Sequence, residues 1–564
     1  MYNNNIQIMT EFNNNQNIAG EVETTELSKR SPIIKNVDIQ FHNSLELSPF
    51  ELFEEPDIKF GIFNLEIYGE LPIIQKHLHI FFTVDSSGSM DDVCGDRKTK
   101  MEHIKYTMKN ILRIFYEYSD CNISIQVQSF NSVIGNCIDN ITNIKETTLE
   151  YLVSKINQIT PKGQTNIELA LKSASEKIAD YKLNNTEHEI VHLFLTDGEI
   201  SDGSSDAKEL KALVPQECSN IFIGYGLQHD SKLLSILGTG QNNEYRFIDK
   251  LENAGLVYGE IIHNISYKAV NNVTILTNKC EIYDFQTNTW TTELIIGNLA
   301  SEQKKTYHLR STSPDDCFIT VFGKPIYLQA LNNLIEEQMI CYPTFALIKS
   351  NLIKYMFRQK TQELLYESRY ISEKYDNPSD QYDLVDIYSS EYLAKQLAIK
   401  TIKHTLKTFH QLMMNYMKDH GLTVDPIMKM LCDDIYITSK TLGTRTGNMF
   451  SCARQVSQGR QQTYTCSALE AEDTISVRGN VIGPSLYSKG INNTNKTTNT
   501  SIWRSSLFNE DLAGTEDLAG TEDLSNNEDI VDYEIQSQNN LSPYISDSLI
   551  TIMRDVSGIH KIQT

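Results

Sequence analysis

An apolar run that stops on a carboxylate constrains this chain most. His77-Leu-His-Ile-Phe-Phe-Thr-Val84 has the nearly continuous apolar character of a strand covered on both faces, and it runs directly into Asp85-Ser-Ser-Gly-Ser-Met90. Beyond that turn, Met101, Ile104, Met108, Ile111 and Phe115 recur at helical spacing within residues 100–118. Strand, polar turn and helix in this order put the polar cluster at the carboxyl end of a strand. In a doubly wound parallel sheet the loops there converge on a ligand crevice.

The pattern recurs twice. Ile190-Val-His-Leu-Phe-Leu-Thr196 reads as a second buried strand and ends on Asp197-Gly198. Gly163-Gln-Thr-Asn-Ile-Glu-Leu-Ala-Leu171 sets Thr165 just ahead of an amphipathic helix carrying Ile167, Ala170, Leu171, Ala174 and Ile178. Strands are also expected at 123–130 and 220–225, with a helix between 252 and 264. Alternation of this kind predicts an α/β doubly wound, Rossmann-like domain over residues 73–266.

Asp85, Ser87, Ser89, Thr165 and Asp197, the five positions that a family resemblance singles out, stand at the ends of predicted elements, all offering oxygen. Hard divalent cations prefer oxygen ligands, and Mg2+ demands near-octahedral geometry while keeping some of its waters. Three hydroxyls and two carboxylates suit Mg2+, with Mn2+ and Ca2+ as alternatives. Neutral hydroxyls leave the ion incompletely satisfied, so a partner's Asp or Glu can displace a water and complete the shell. Ser87 and Ser89 as turn caps, with Asp197 starting a turn, are the competing explanation. Separate capping needs would not gather five oxygens at three element ends, which favours the cation.

Asp85-x-Ser87-x-Ser89, Thr165 in Gly-x-Thr-Asn-Ile and Asp197 in Leu-Thr-Asp-Gly together resemble the metal-ion-dependent adhesion site (MIDAS) of von Willebrand factor A (VWA) domains. The resemblance spans about residues 78–267, where Tyr225-Gly-Leu and the segment after Asp230 look like that family's last strand and helix. It implies that Ser87, Ser89 and Thr165 bind the cation through their hydroxyls and that Asp85 and Asp197 act directly or through water. It further implies a non-enzymatic, metal-dependent protein-binding scaffold. An accessory docking subunit of a ubiquitin-ligase or ATPase assembly, or a virion component, are alternatives that use the same site. Integrin β-subunit domains, which resemble this motif, follow it with paired acids that hold a second ion. Here Asp91-Asp92 is followed by Val93, which breaks the pair and favours a solvated acidic loop.

Outside the α/β region the chain divides by pattern. Residues 1–55 read as a flexible leader. Ile58-Lys-Phe-Gly-Ile-Phe-Asn-Leu-Glu-Ile-Tyr68 alternates as a half-exposed strand and defines a segment 56–72. Residues 267–328 look β-rich, with short strands at 273–276, 290–296, 306–309 and 317–322. The early strand cannot belong to the α/β alternation and is expected to join this later β-sandwich-like module. The layout, with the α/β domain inserted, resembles giant-virus and protist intracellular VWA proteins. A helical region, 329–438, is expected to hold helices at 331–340, 345–366 and 391–418. In the last of these Leu397, Ile402, Leu406, Phe409, Met413 and Tyr416 form a stripe, and Gly421 stops the helix. Residues 439–490 are polar and basic with no chemistry assigned. Residues 491–564 read as a disordered acidic tail: 11 acids and no Lys or Arg lie between 505 and 553, and Glu510-Asp-Leu-Ala-Gly-Thr515 repeats at once.

Composition removes other classes. A net charge of −23 over 564 residues argues against nucleic acid as partner. Ten cysteines with no C-x-x-C pair argue against structural zinc. No apolar run approaches the roughly 18 residues of a membrane span, and no secretory signal is evident, so the cytoplasm is the default location, including that of a viral host cell. Phosphate-loop, H-E-x-x-H, G-x-S-x-G and kinase signatures are missing from the sequence, and no enzyme is expected.

Overall fold

The computed structural model describes residues 34–42, 48–67, 77–94, 97–117, 122–226, 229–248, 254–325, 337–341, 352–375, 390–444, 447–464, 544 and 549–553. Strands β1 (Ile34–Phe41) and β2 (Lys59–Ile67) pair antiparallel. β1 corrects the expectation of a flexible leader over 1–55: Val37, Ile39 and Phe41 alternate, and Ile39 is fully buried. Three alternating residues next to an Asn-rich stretch are a weak local signal, and pairing with β2 is what makes them a strand.

The α/β unit follows. It consists of β3 (Leu78–Asp85), α1 (Lys100–Glu117), β4 (Ile123–Phe130), β5 (Ile134–Asn143), α2 (Glu146–Asn157), α3 (Ile167–Asn184), β6 (Glu189–Thr196), α4 (Ala207–Ala212), β7 (Ser219–Tyr225), α5 (Ser231–Leu237), β8 (Asn243–Ile248) and α6 (Ala254–Ser266). Its six-stranded sheet runs β5-β4-β3-β6-β7-β8, parallel except for the antiparallel edge strand β5. β3 is central and every residue in it is buried, the physical basis of its continuous apolar run. Ile80, Phe82 and Val84 pack with α1 and α6, while Phe81 packs with Ala174 and Ile178 of α3. Polar side chains within this sheet bond one another: Thr83 Oγ1 lies 2.9 Å from His192 Nε2, and His192 Nδ1 lies 2.9 Å from Asn220 Oδ1.

Next come β9 (Lys268–Asn278), β10 (Glu281–Asp284), β11 (Thr289–Thr291), β12 (Glu293–Ala300), β13 (Lys304–Ser311), β14 (Phe318–Pro325) and β15 (Glu337–Cys341). They form two sheets, β1-β2-β13-β10-β11 and β12-β9-β14-β15. β2, which precedes the α/β unit, pairs antiparallel with β13, which follows it, with Phe63 opposite Tyr307. Phe63, Leu65 and Ile67 of β2 share one core with Val273, Ile275, Ile319 and Val321 of the other sheet. Deleting residues 1–70 removes β1, β2 and these three side chains, each worth about 1.5–3 kcal/mol of burial. Limited proteolysis is expected to show the segment 268–325 cleaved far faster after that deletion. Unchanged resistance would refute the dependence.

Among the described residues, helices α7 (Ile353–Tyr375), α8 (Ser390–Asp419), α9 (Pro426–Thr441) and α10 (Gly447–Arg460) follow. Phe357, Leu406, Phe409, Met413 and Tyr416 pack on Phe60 and Ile62, so the helices cover the other face of β2. The expected stripe on α8 is shorter than its spacing suggested, since Leu397 is 66% exposed. Gly421 adopts φ +66° just past α8, as a left-handed helix stop does. The helix expected at 331–340 is corrected: residues 337–341 form β15 on the edge of β14, and 331–336 lie outside the described residues. An open sheet edge outweighed helical spacing there.

Two C-terminal expectations also change. The segment taken as polar from 439 contains the end of α9 and all of α10, whose Met449, Phe450, Ala453 and Val456 pack with Phe222, Leu234 and Tyr245 of the α/β unit. In the acidic tail, Leu549, Ile552 and Met553 are buried, and Ile552 joins the core beneath α6. A Cβ added at Gly259 would lie 2.7 Å from Met553 Cα, so the absence of a side chain on α6 admits this contact. Residues 491–543 lie outside the described residues.

Candidate metal centre

The carboxyl ends of β3 and β6 and the loop before α3 meet at one point. The loops are tied by backbone: Gly88 N–H donates to Gly163 O at 3.0 Å, and Lys162 N–H to Ser86 O at 2.8 Å. Ser201 N–H donates to Thr165 O at 3.1 Å, while the Ser201 hydroxyl accepts from Thr165 N–H at 2.8 Å. All five sequence-predicted residues come together there. Ser87 Oγ is 3.1 Å from Ser89 Oγ, and Ser89 Oγ donates to Asp197 Oδ1 at 2.8 Å. Thr165 is placed by Gly198: a Cβ added at that glycine would lie 3.3 Å from Thr165 Oγ1 and 3.7 Å from Ser89 Oγ.

Asp85 is not at an exposed rim. It is fully buried, Oδ1 accepting from Ser87 N–H at 2.8 Å and Oδ2 from the Thr196 hydroxyl at 2.6 Å. Burial pushes its carboxyl up to about 6 against those hydrogen bonds, and the charge of Asp197 adds to the push. With both oxygens engaged, Asp85 serves as a buried negative charge and anchor for the turn.

Thr196, Ser201 and Lys100 were not singled out from sequence. Lys100, the first residue of α1, donates from Nζ to Asp197 Oδ2 at 2.6 Å and to Asp92 Oδ2 at 3.1 Å. Burial works against its ammonium, but Asp197 and Asp92 outweigh burial and hold its pKa above the ordinary lysine value. Asp92 is thus the partner of an ammonium. The only sequence hint of Lys100 was its place at the start of a helix predicted to follow the polar turn.

A divalent ion fits this donor set. Cis ligands of an octahedral Mg2+ at 2.0–2.1 Å stand about 3 Å apart, and the Ser87–Ser89 and Ser89–Asp197 spacings match that value. Among the described residues no group of three or more His, Cys, Asp or Glu could hold a metal, so a cation here depends on the hydroxyls. Gly198→Ala puts a methyl between Thr165 and Ser89; it is expected to weaken Mn2+ binding by about tenfold or more, read by calorimetry. An unchanged affinity would place the ion elsewhere.

Residues 79–259 match the family model of the von Willebrand factor type A domain, and the chain carries a VWA domain there, with a mixed α/β sheet, beside a helical region. Such domains mediate protein–protein interactions, commonly with a bound divalent metal, and are generally non-enzymatic. No curated protein matches the chain. Among solved structures, a von Willebrand factor type A protein from Catenulispora acidiphila is 13% identical over 77% of this chain and 98% of its own, with a TM-score of 0.47. The ArnB paralog VWA2 from Sulfolobus acidocaldarius is 13% identical over 75% and 98%, with a TM-score of 0.39. Proximal thread matrix protein 1 from the mussel byssus, with a zinc-occupied MIDAS motif, is 17% identical over 37% and 50%, with a TM-score of 0.28. No helix among the described residues is long and apolar enough to cross a membrane.

Proposed function

We propose that this chain is a non-enzymatic scaffold that binds a partner protein through a Mg2+ ion held at Ser87, Ser89 and Thr165, with Asp85 and Asp197 supplying the negative charge. The ion's role is to offer a coordination position to a carboxylate of the partner; the chain's residues hold and orient it. The observation that carries this reading is the Ser87–Ser89–Asp197 chain of oxygens at octahedral spacing over the buried Asp85 carboxylate. Two carboxylates and three hydroxyls supply little charge, so an incoming anion keeps its attraction to the ion. The chemistry asks of the partner an exposed Asp or Glu. The test is affinity purification with the full chain in Mg2+ and in EDTA, followed by replacement of acidic residues in whatever is retained only with metal. Retention unaffected by EDTA, or by loss of every exposed acid on the partner, would overturn the proposal.

A further inference from the structure

A second site lies where the α/β unit, the β13 sheet, α7 and α10 meet. A cavity of about 590 Å3 opens there, and none of the five candidate metal ligands lines it. Arg246, Lys305, Arg358 and Arg460 line it from β8, β13, α7 and α10. Arg246 is matched by acids, its Nε 3.2 Å from Glu244 and its Nη1 3.0 Å from Glu260. The other three cations have only neutral hydrogen-bond acceptors. Lys305 Nζ donates to the carbonyls of Arg460 and Gln461 at 3.0 and 2.8 Å. Arg358 donates to Thr306 O and Gln458 O at 3.0 and 2.8 Å, and Arg460 to Gly238 O and Asn243 O at 3.0 and 2.9 Å. The remaining acids of the lining, Asp284 and Glu293, sit where solvent reaches them, and Asp284 already accepts from Gln286 N–H and Thr287 Oγ1.

Arg358 is buried while Lys305 and Arg460 are half-buried, and a buried cation without a counter-ion is costly, because carbonyl dipoles replace hydration only in part. A further observation points to an anion site. Three buried nitrogens without a hydrogen-bond partner, His308 Nε2, Arg358 Nε and Arg460 Nε, all belong to side chains of this lining. Burial also pushes the Lys305 ammonium down to about 8; the charges of Glu260 and Glu244 work against that shift, and those of Arg246 and Arg358 add to it. We propose that this cavity binds a small organic anion carrying a phosphate group. Phosphate suits donors that arrive from four separate elements, since it accepts in several directions and carries up to two charges, whereas a carboxylate accepts in one plane. Tyr283, Tyr307, Leu294 and Ile296 form an apolar wall beside the cations, and the volume exceeds that of a bare phosphate, leaving room for an organic portion.

The test uses the full chain in EDTA at fixed ionic strength, with phenyl phosphate, inorganic phosphate and benzoate as probes. Phenyl phosphate is expected to raise the melting temperature by about 3 °C or more at saturation. It is also expected to bind at least tenfold tighter than either of the other probes by calorimetry. Lys305→Met should abolish the shift, while Lys304→Met, on the exposed neighbour, and Asp85→Asn, in the other site, should retain it. Leu294→Trp narrows the cavity from its apolar wall with every cation in place, and should weaken binding even if Lys305→Met folds poorly. Absence of a shift, equal affinity for benzoate, or an undiminished shift in both Lys305→Met and Leu294→Trp would overturn the proposal.

Discussion

Replacing Asp85 with Asn is expected to reduce Mn2+ or Mg2+ binding by on the order of 100-fold or more while the metal-free chain melts at the same temperature or higher. The two effects have one cause. Asp85 is fully buried at the end of the central strand, and burial has already raised its carboxyl to about 6, so its charge is tolerated at a cost. Asn keeps an oxygen for the Ser87 N–H or the Thr196 hydroxyl and removes the charge. Folding loses little, and the cation loses half of the carboxylate charge that Asp85 and Asp197 supply. Calorimetry for affinity and a thermal melt in EDTA for stability separate the outcomes. Wild-type affinity in the Asn variant would eliminate Asp85 from the site; a large loss of stability would make its role structural.

Lys100→Met should act in the opposite direction, tightening Mg2+ about 10- to 100-fold. The ammonium of Lys100 bonds the oxygen of Asp197 that Ser89 does not use, so it neutralises part of the charge a divalent ion needs. A positive charge a few ångströms from the ion repels it by about 1–3 kcal/mol after solvent relaxation. The lysine thus serves as the chain's own counter-ion for Asp197, whose side chain is completely buried. With the ion bound, the same charge adds to the attraction for a partner carboxylate, so Lys100→Met should weaken the partner while tightening the metal. A variant with unchanged or weaker metal affinity would show that Lys100 matters only for holding the Asp197 carboxylate in place.

The candidate site was legible because its residues sit where secondary-structure pattern changes. A buried parallel strand must be continuously apolar, so the first carboxylate after Val84 and after Thr196 marks the strand's carboxyl end without reference to tertiary structure. Lys100 and Thr196 were not legible as site residues. A lysine opening a helix and a threonine closing a strand are ordinary in sequence; only the approach of α1 to the end of β6 brings the lysine to Asp197, and only the pairing of β3 with β6 brings the threonine to Asp85. β1 and β15 were missed for a related reason: short alternating segments become strands when an edge is available, and the edges are provided by β2 and β14.

Periodicity in the sequence alone determined the α/β class of the unit and its strands β3, β4, β6 and β7 with helices α1, α3 and α6, because burial on both faces of a strand or one face of a helix leaves a local imprint on residue type; β5, α2, α4 and β8 were not read, and β8, not the strand ending at Tyr225, is the last of the sheet. Long-range contact decided the rest. α10 reads as polar and basic, yet Phe450 and Val456 close over Phe222, and Arg460 caps carbonyls of Gly238 and Asn243 more than two hundred residues away. Ile552 and Met553 are likewise buried by contact with distant elements, Met553 against the bare backbone of Gly259 in α6. The cationic cavity has no motif at all: Arg246, Lys305, Arg358 and Arg460 are scattered lysine and arginine positions in sequence, and only the packing of four separate elements brings them to the lining of one cavity.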